Sequence, residues 1–70
     1  MKIKDSDFLY YYKREFFVSL DGKAYICCLG HKNDWYVFVD DCPGYGKNIT
    51  NSELAKEIIR GCQEVIDNEI

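Results

Sequence analysis

The stretch EFFVSLDGKAYICCLGHKNDWYVFVD, residues 15–40, decides the fold because it alternates apolar runs with turn signals. The runs at 15–20, 23–29 and 35–40 are rich in aromatic and β-branched residues, which is typical of strands. Asp21-Gly22 is a strong hairpin signal, since a type I′ turn needs positive φ at both central positions. GHKND, residues 30–34, is a second, polar turn. The pattern predicts a three-stranded antiparallel β-meander.

An amphipathic helix is predicted after this meander. Thr50 and Glu53 match a capping box, and Ile49 and Leu54 occupy the two positions of a hydrophobic staple. Apolar residues at helical spacing share one side of the helix: Leu54, Ala55, Ile58, Ile59, Cys62, Val65 and Ile66. Gly61 borders this side and would allow close approach to the sheet. We therefore predict an α+β fold, a three-stranded meander followed by one C-terminal helix (β-β-β-α), as a single domain over residues 1–70.

The lengths of the two turns determine which sheet face the helix covers. If the turns are Asp21-Gly22 and residues 30–34, one face is continuous and apolar: Phe16, Val18, Leu20, Tyr25, Cys27, Leu29, Trp35, Val37 and Val39. The other face carries Glu15, Phe17, Ser19, Ala24, Ile26, Cys28, Tyr36, Phe38 and Asp40. A change of one residue in the second turn would exchange the faces of residues 35–40.

Composition limits the class of protein. The chain has 70 residues with 47% hydrophobic and 16% aromatic content, which is too apolar for disorder. No apolar run approaches the roughly 20 residues that cross a bilayer, and the start MKIKDSDF is too polar for a signal peptide. We expect a cytoplasmic protein whose cysteines, Cys27, Cys28, Cys42 and Cys62, are reduced thiols.

The segment CPGYGK, residues 42–47, lies between a predicted strand and the predicted helix, where a phosphate-binding loop would sit. It departs from G-x-x-x-x-G-K-[ST], because Asp41 stands at the first glycine and Asn48 follows Lys47. We expect Pro43 and the glycines to shape a strand-to-helix connection instead.

Metal and nucleophile chemistry have weak signals. A zinc site drawn from Cys28, His31, Cys42 and Cys62 lacks a Cys-x-x-Cys spacing. His31 lies in a turn, and a cysteine–histidine pair forms only if folding brings Cys28 or Cys42 to it. We predict that the chain is not an enzyme and holds no cofactor or metal.

Nucleic-acid binding is not expected. The net charge is -3 and the nine basic residues are scattered, whereas such binding needs basic groups that neutralise phosphates. The order strand, GYGK, helix is similar to the second half of a double-stranded-RNA-binding domain. Asn51, Ser52 and Glu53 stand where that family has its phosphate-binding lysines.

The segment FLYYYKREFF, residues 8–17, suggests a binding surface. Tyr10, Tyr11 and Tyr12 place rings on both sides of an extended chain, beside Lys13 and Arg14. Tyrosine and arginine are enriched at binding hot spots. The alternative is a long, bent first strand that covers the second sheet face. The predicted contacts with a protein partner, or with a second copy in a homodimer, are Tyr11, Tyr12, Arg14, Phe17, Tyr36 and Phe38.

Two resemblances suggest a biological class. Pro43, Gly44, Ile49, Thr50, Asn51 and Glu53 form a Pro-Gly loop and an ITNxxE helix start. This pattern resembles small phage and mobile-element proteins, which in size and charge are similar to anti-CRISPR and other anti-defence inhibitors. Asp41, Pro43, Gly44 and Thr50 also resemble the corresponding loop of HicB-type antitoxins. The first resemblance implies a phage-type inhibitor of a host defence protein or complex. The alternative implies an antitoxin that neutralises a toxin and binds DNA as an oligomer.

Overall fold

The computed structural model describes residues 1–6, 11–41 and 44–69. Within these residues the elements are β1 (Lys2–Ser6), β2 (Arg14–Leu20), β3 (Lys23–Leu29), β4 (Trp35–Asp40), β5 (Tyr45–Asn48) and α1 (Glu53–Asp67). The strands form one antiparallel sheet in the order β1-β2-β3-β4-β5. The α+β class is confirmed, but the predicted three-stranded β-β-β-α topology is wrong, because the described sheet has five strands.

The predicted register of the three central strands is confirmed. Leu20 pairs with Lys23 across the first turn, where Asp21 and Gly22 have φ of 52° and 76°. Leu29 pairs with Trp35, so that residues 30–34 form the second turn. The two sheet faces are therefore those that the turn lengths predict.

The two strands that the sequence did not predict lie at the sheet edges. β1 contains one apolar residue, Ile3, and β5 has the sequence YGKN, so neither shows the apolar alternation of a half-buried strand. At Gly46 an added Cβ would lie 2.7 Å from the backbone oxygen of Val39. The bare glycine therefore lets β5 pair closely with β4 beside the irregularity between Phe38 and Asp40. The expectation that residues 42–47 form a strand-to-helix connection is wrong for its described part, because Tyr45–Asn48 pair as a strand.

The helix packs on the predicted apolar face. Its buried residues Ala55, Ile58 and Cys62 join Phe16, Val18, Tyr25, Cys27 and Val37 in one core. A Cβ on Gly61 would lie 2.1 Å from Cε of Met1 and 3.4 Å from Cδ1 of Ile3. Gly61 thus permits close approach between the helix and the sheet, as predicted, and the strand that lies against it is β1.

The predicted helix cap is wrong by two residues. Ser52 is the N-cap, and its Oγ accepts a 3.1 Å hydrogen bond from the backbone N–H of Ala55. Thr50 Oγ1 instead accepts a 3.0 Å bond from the backbone N–H of Val37. Thr50 therefore ties the segment after β5 to β4, while Ile49 and Leu54 still pack against the core.

Candidate protein-binding surface

The sheet face opposite the helix is the candidate surface, and we call it the open face. Strand pairing assigns its members: Lys2, Lys4, Ser6, Glu15, Phe17, Ser19, Ala24, Ile26, Cys28, Tyr36, Phe38, Asp40, Tyr45 and Asn48. No helix among the described residues covers it. A sheet with one face on the core usually presents a polar second face to water, so its aromatic content needs a separate explanation.

Four rings form an aromatic cluster at one end of the open face. The ring centroid of Tyr12 lies 5.9 Å from that of Tyr36 and 6.1 Å from that of Tyr45. Tyr45 lies 5.0 Å from Phe38, with the rings tilted by 59°. Such separations are in the range of favourable aromatic pairs. The cluster joins the segment before β2, strand β4 and edge strand β5.

A buried polar group lies beneath this cluster. Glu15 is only 8% exposed, and its Oε2 accepts a hydrogen bond from the Tyr45 hydroxyl. Burial, followed by this bond, raises the pKa of Tyr45 well above its usual value. Cys28 is fully buried beside them, and burial together with the Glu15 charge raises the pKa of its thiol to about 12. Cys28 is therefore a neutral thiol, which is a poor nucleophile.

Tyr36 marks the outer edge of the cluster. Its hydroxyl donates to Oδ2 of Asp34, which lowers the pKa of Asp34 and raises that of Tyr36. A depression of about 500 Å³ opens here; it is lined by Tyr11, Tyr12, Gly30, His31, Lys32, Asp34 and Tyr36. His31 is exposed in its turn, as the sequence predicts.

The structure brings four of the six predicted contact residues to this region. Tyr12, Tyr36 and Phe38 meet in the cluster, and Tyr11 is 79% exposed beside it. Phe17 is on the same face and 39% exposed, but Ile26 separates it from Phe38 in the cross-strand row. Tyr10 lies outside the described residues.

Arg14 is not part of the open face. Its guanidinium lies 5.1 Å from the centroid of the Phe16 ring, on the helix side of the sheet. It donates to Asp5 in β1 and, at 2.6 Å, to both carboxylate oxygens of Glu69 after α1. These bonds lower the pKa of Glu69 and raise that of Arg14. Arg14 thus connects β1, β2 and the end of the helix.

Sequence reasoning missed Tyr45 and Glu15 as members of the site. Tyr45 was assigned to a loop, and only its membership of a strand beside β4 brings its ring over Glu15. A single acid at the start of an apolar run was the available signal for Glu15. Such an acid is seldom buried unless it has a partner.

The candidate zinc ligands do not form one site in the described part of the chain. Cys28 faces the open side, whereas Cys62 lies in the core on the helix side, where its thiol is hydrogen-bonded to Cys27. This bond and burial raise the pKa of Cys27. No three side chains from His, Cys, Asp and Glu lie close enough together to hold a metal ion within residues 1–6, 11–41 and 44–69. Cys42 and Pro43 lie outside the described residues.

Among the described residues, no helix has the length and apolar character needed to span a membrane. Comparison with known proteins adds no relative, since no family model, curated protein or solved structure matches the chain.

Proposed function

We propose that this chain is a non-catalytic protein-binding module that uses its open face. The observation that carries the proposal is the aromatic surface that no described helix covers. Tyr11 and Tyr45 are 79% and 45% exposed and adjoin the partly buried rings of Tyr12, Tyr36 and Phe38. Phe17 is 39% exposed on the same face, beyond Ile26. Large contiguous patches of exposed apolar surface usually mark interaction sites.

The chemistry of the surface favours binding over catalysis. Tyrosine rings supply large contact area together with a hydroxyl for hydrogen bonding, and tyrosine is enriched at hot spots. The buried carboxylate beneath them is paired, since Glu15 accepts a hydrogen bond from the hydroxyl of Tyr45. The high pKa of Cys28 keeps its thiol protonated at neutral pH. The floor is therefore a stable support for the rings.

For the biological class we propose a phage-type inhibitor that acts in the cytoplasm by occupying a surface of a host defence protein. The resemblance of the Pro-Gly loop and helix start supports this class. Three cysteines, Cys27, Cys28 and Cys62, are buried free thiols, which fits a reducing compartment.

The test measures self-association and capture of a bacterial partner with the wild-type chain and with Phe38→Glu. We expect a homodimer by light scattering, or a stoichiometric complex by affinity capture, which Phe38→Glu abolishes while the circular dichroism spectrum stays unchanged. Asn51→Glu is the matched control, because it adds the same charge at an exposed position near the helix start, away from the open face.

Phe38 is partly buried against Tyr45, so its replacement could affect folding. Phe17→Glu therefore provides a second variant at a more exposed position of the same face. A complex that survives both substitutions in folded protein would contradict binding through the open face, as would a wild-type chain that stays monomeric and captures nothing.

A further inference from the structure

A cleft lies on the open face beside β1 and extends across the sheet to Asp40, the strand partner of Tyr45. It has a volume of about 500 Å³. The small side chains of the cross-strand neighbours Ser19 and Ala24 leave space at its floor, and the ring of Phe17 forms one wall. The side chains that face into this region from the strand pairing are Lys2, Lys4, Phe17, Ser19, Ala24 and Asp40.

The cleft has opposite charges at its two ends. Lys2 pairs with Ser19 in the sheet, Ser19 pairs with Ala24, and Asp40 follows Val39, the partner of Tyr25. Lys2 on β1 and Asp40 on β4 are thus three strand spacings apart, about 14 Å. In the described part of the chain, Lys2, Lys4 and Asp40 form no ion pair, so their charges are available to a ligand.

We propose that this cleft binds an extended protein segment that carries an acidic, an apolar and a basic side chain at alternate positions. Side chains at i, i+2 and i+4 of an extended chain face the same way. At about 3.3 Å per residue the first and third are roughly 13 Å apart, which matches the separation of Lys2 from Asp40. The acid would lie beside Lys2 and Lys4, the apolar side chain over Ala24 against Phe17, and the base beside Asp40.

This inference rests on the proposed function, because it names the chemistry of the partner segment. It is narrower than that proposal, since it concerns only the part of the open face that Lys2, Lys4, Phe17 and Asp40 line. Two variants keep the tests apart: Phe38→Glu addresses the aromatic cluster, and Ala24→Arg, which fills the cleft at an exposed position, addresses the inference. Phe17→Glu affects both, because Phe17 is a wall of the cleft.

The experiment titrates the ¹⁵N-labelled chain with the peptide acetyl-TETLTRT-amide and follows amide chemical shifts. We expect saturable shifts at Phe17, Ser19 and Ala24. Two control peptides keep the leucine but carry two basic residues (TKTLTRT) or two acidic residues (TETLTET). We expect each control to bind about fivefold more weakly, the effect of losing exposed ion pairs.

Variants of the protein should reverse its preference for the mixed peptide over the control peptides. Lys2→Glu combined with Lys4→Glu leaves only acidic groups around the cleft, so this variant should bind the two-base peptide more tightly than the mixed peptide. Ala24→Arg should abolish the shifts for all peptides while the amide spectrum remains that of the folded chain.

The inference would be overturned by no shifts at millimolar peptide, equal affinity for the three peptides, shifts confined to Tyr12 and Tyr36, or stronger binding of an oligothymidylate at the same amides. Self-association that shifts Ser19 and Ala24 without peptide would also overturn it, because a second copy would then be the occupant.

Discussion

At the scale of single residues, Glu15 is the group whose placement most constrains the open face. A buried carboxylate is costly unless it is hydrogen-bonded, and Glu15 obtains its bond from the hydroxyl of Tyr45 on the edge strand β5. The same tyrosine ring contacts both Tyr12 and Phe38. One side chain thus satisfies the buried acid and completes the aromatic cluster.

Removal of the Tyr45 hydroxyl tests this role. Tyr45→Phe keeps the ring contacts but removes the one donor that the described residues give Glu15, so we expect a loss of about 1–3 kcal/mol in the free energy of unfolding. Urea denaturation followed by circular dichroism measures it. Tyr25→Phe is the control, because the buried Tyr25 forms no hydrogen bond through its hydroxyl among the described residues. Equal midpoints for the two variants would show that the Tyr45 bond does not stabilise the fold.

At the scale of elements, the helix start shows how two suitable caps compete. Thr50 and Ser52 are both good N-cap residues, and the sequence favours Thr50 because Glu53 completes a capping box. Tertiary structure decides otherwise, since the hydroxyl of Thr50 is already engaged by the N–H of Val37 on β4. A capping box is a local signal, whereas this bond joins residues 13 positions apart.

Substitution of the cap distinguishes the two positions. Ser52→Ala removes the acceptor for the Ala55 N–H, so we expect a loss of about 0.5–2 kcal/mol. Ser52→Asp should restore most of this stability, because a carboxylate also caps and interacts well with the helix dipole. Asn51→Ala, at the exposed position before the cap, should change the unfolding midpoint little. A larger effect of Asn51→Ala than of Ser52→Ala would contradict the assignment.

The apolar stripe of the helix was predictable, and its energetic role follows from burial. Ile58 is 0% exposed within the core. Ile58→Ala should therefore destabilise the protein by about 2–5 kcal/mol through lost burial and a residual cavity. Lys56→Ala on the exposed side of the same helix serves as the comparison, with a small expected change. Thermal melts of both variants provide the measurement, and an unchanged melting temperature for Ile58→Ala would exclude it from the core.

Whether a strand could be predicted from the sequence depends on its position in the sheet. The three central strands were predictable because each is long, apolar and bounded by a turn signal, and the Asp21-Gly22 turn sets their register. β1 and β5 pair on one side only and bury little, so Lys2, Lys4 and Lys47 are tolerated where a central strand would need apolar residues. Charged edges of this kind also discourage edge-to-edge association. Their sequences therefore carry no strand periodicity to detect.

At the scale of the whole molecule, the same limits explain the candidate site. The pairing of β2, β3 and β4 follows from the sequence, so Phe17, Tyr36 and Phe38 could be assigned to one face in advance. Tyr45 and Lys4 reach that face only through the edge strands. Arg14 was expected with the aromatic residues from its proximity in sequence, but strand alternation directs it to the helix side, where it contacts Asp5 and Glu69.

Buried thiols and hydrogen-bonded or partly buried tyrosines make the whole fold sensitive to alkaline pH. The pKa of Cys28 is raised to about 12 by burial, and the pKa values of Cys27, Tyr12 and Tyr45 are also raised. A group whose folded pKa exceeds its unfolded value stabilises the fold fully below the unfolded pKa, and the stabilisation is lost as pH rises toward the folded pKa. Unfolded thiols ionise near pH 8.5 and tyrosines near pH 10, so we expect stability to fall steadily from about pH 8.5 upward.

The unfolding free energy from urea titrations at pH 7.5, 9 and 10.5 tests this expectation. Between its unfolded and folded pKa values each buried thiol adds a slope of up to about 1.4 kcal/mol per pH unit, and the partly exposed tyrosines add less because solvent screens their interactions. Cys28→Ala removes one buried thiol, so its stability should decline less steeply than that of the wild type over this range, whatever the cost of the substitution at pH 7.5. A wild-type stability that is constant or rising from pH 8 to 10 would contradict the burial of these groups, as would parallel pH profiles for the two proteins.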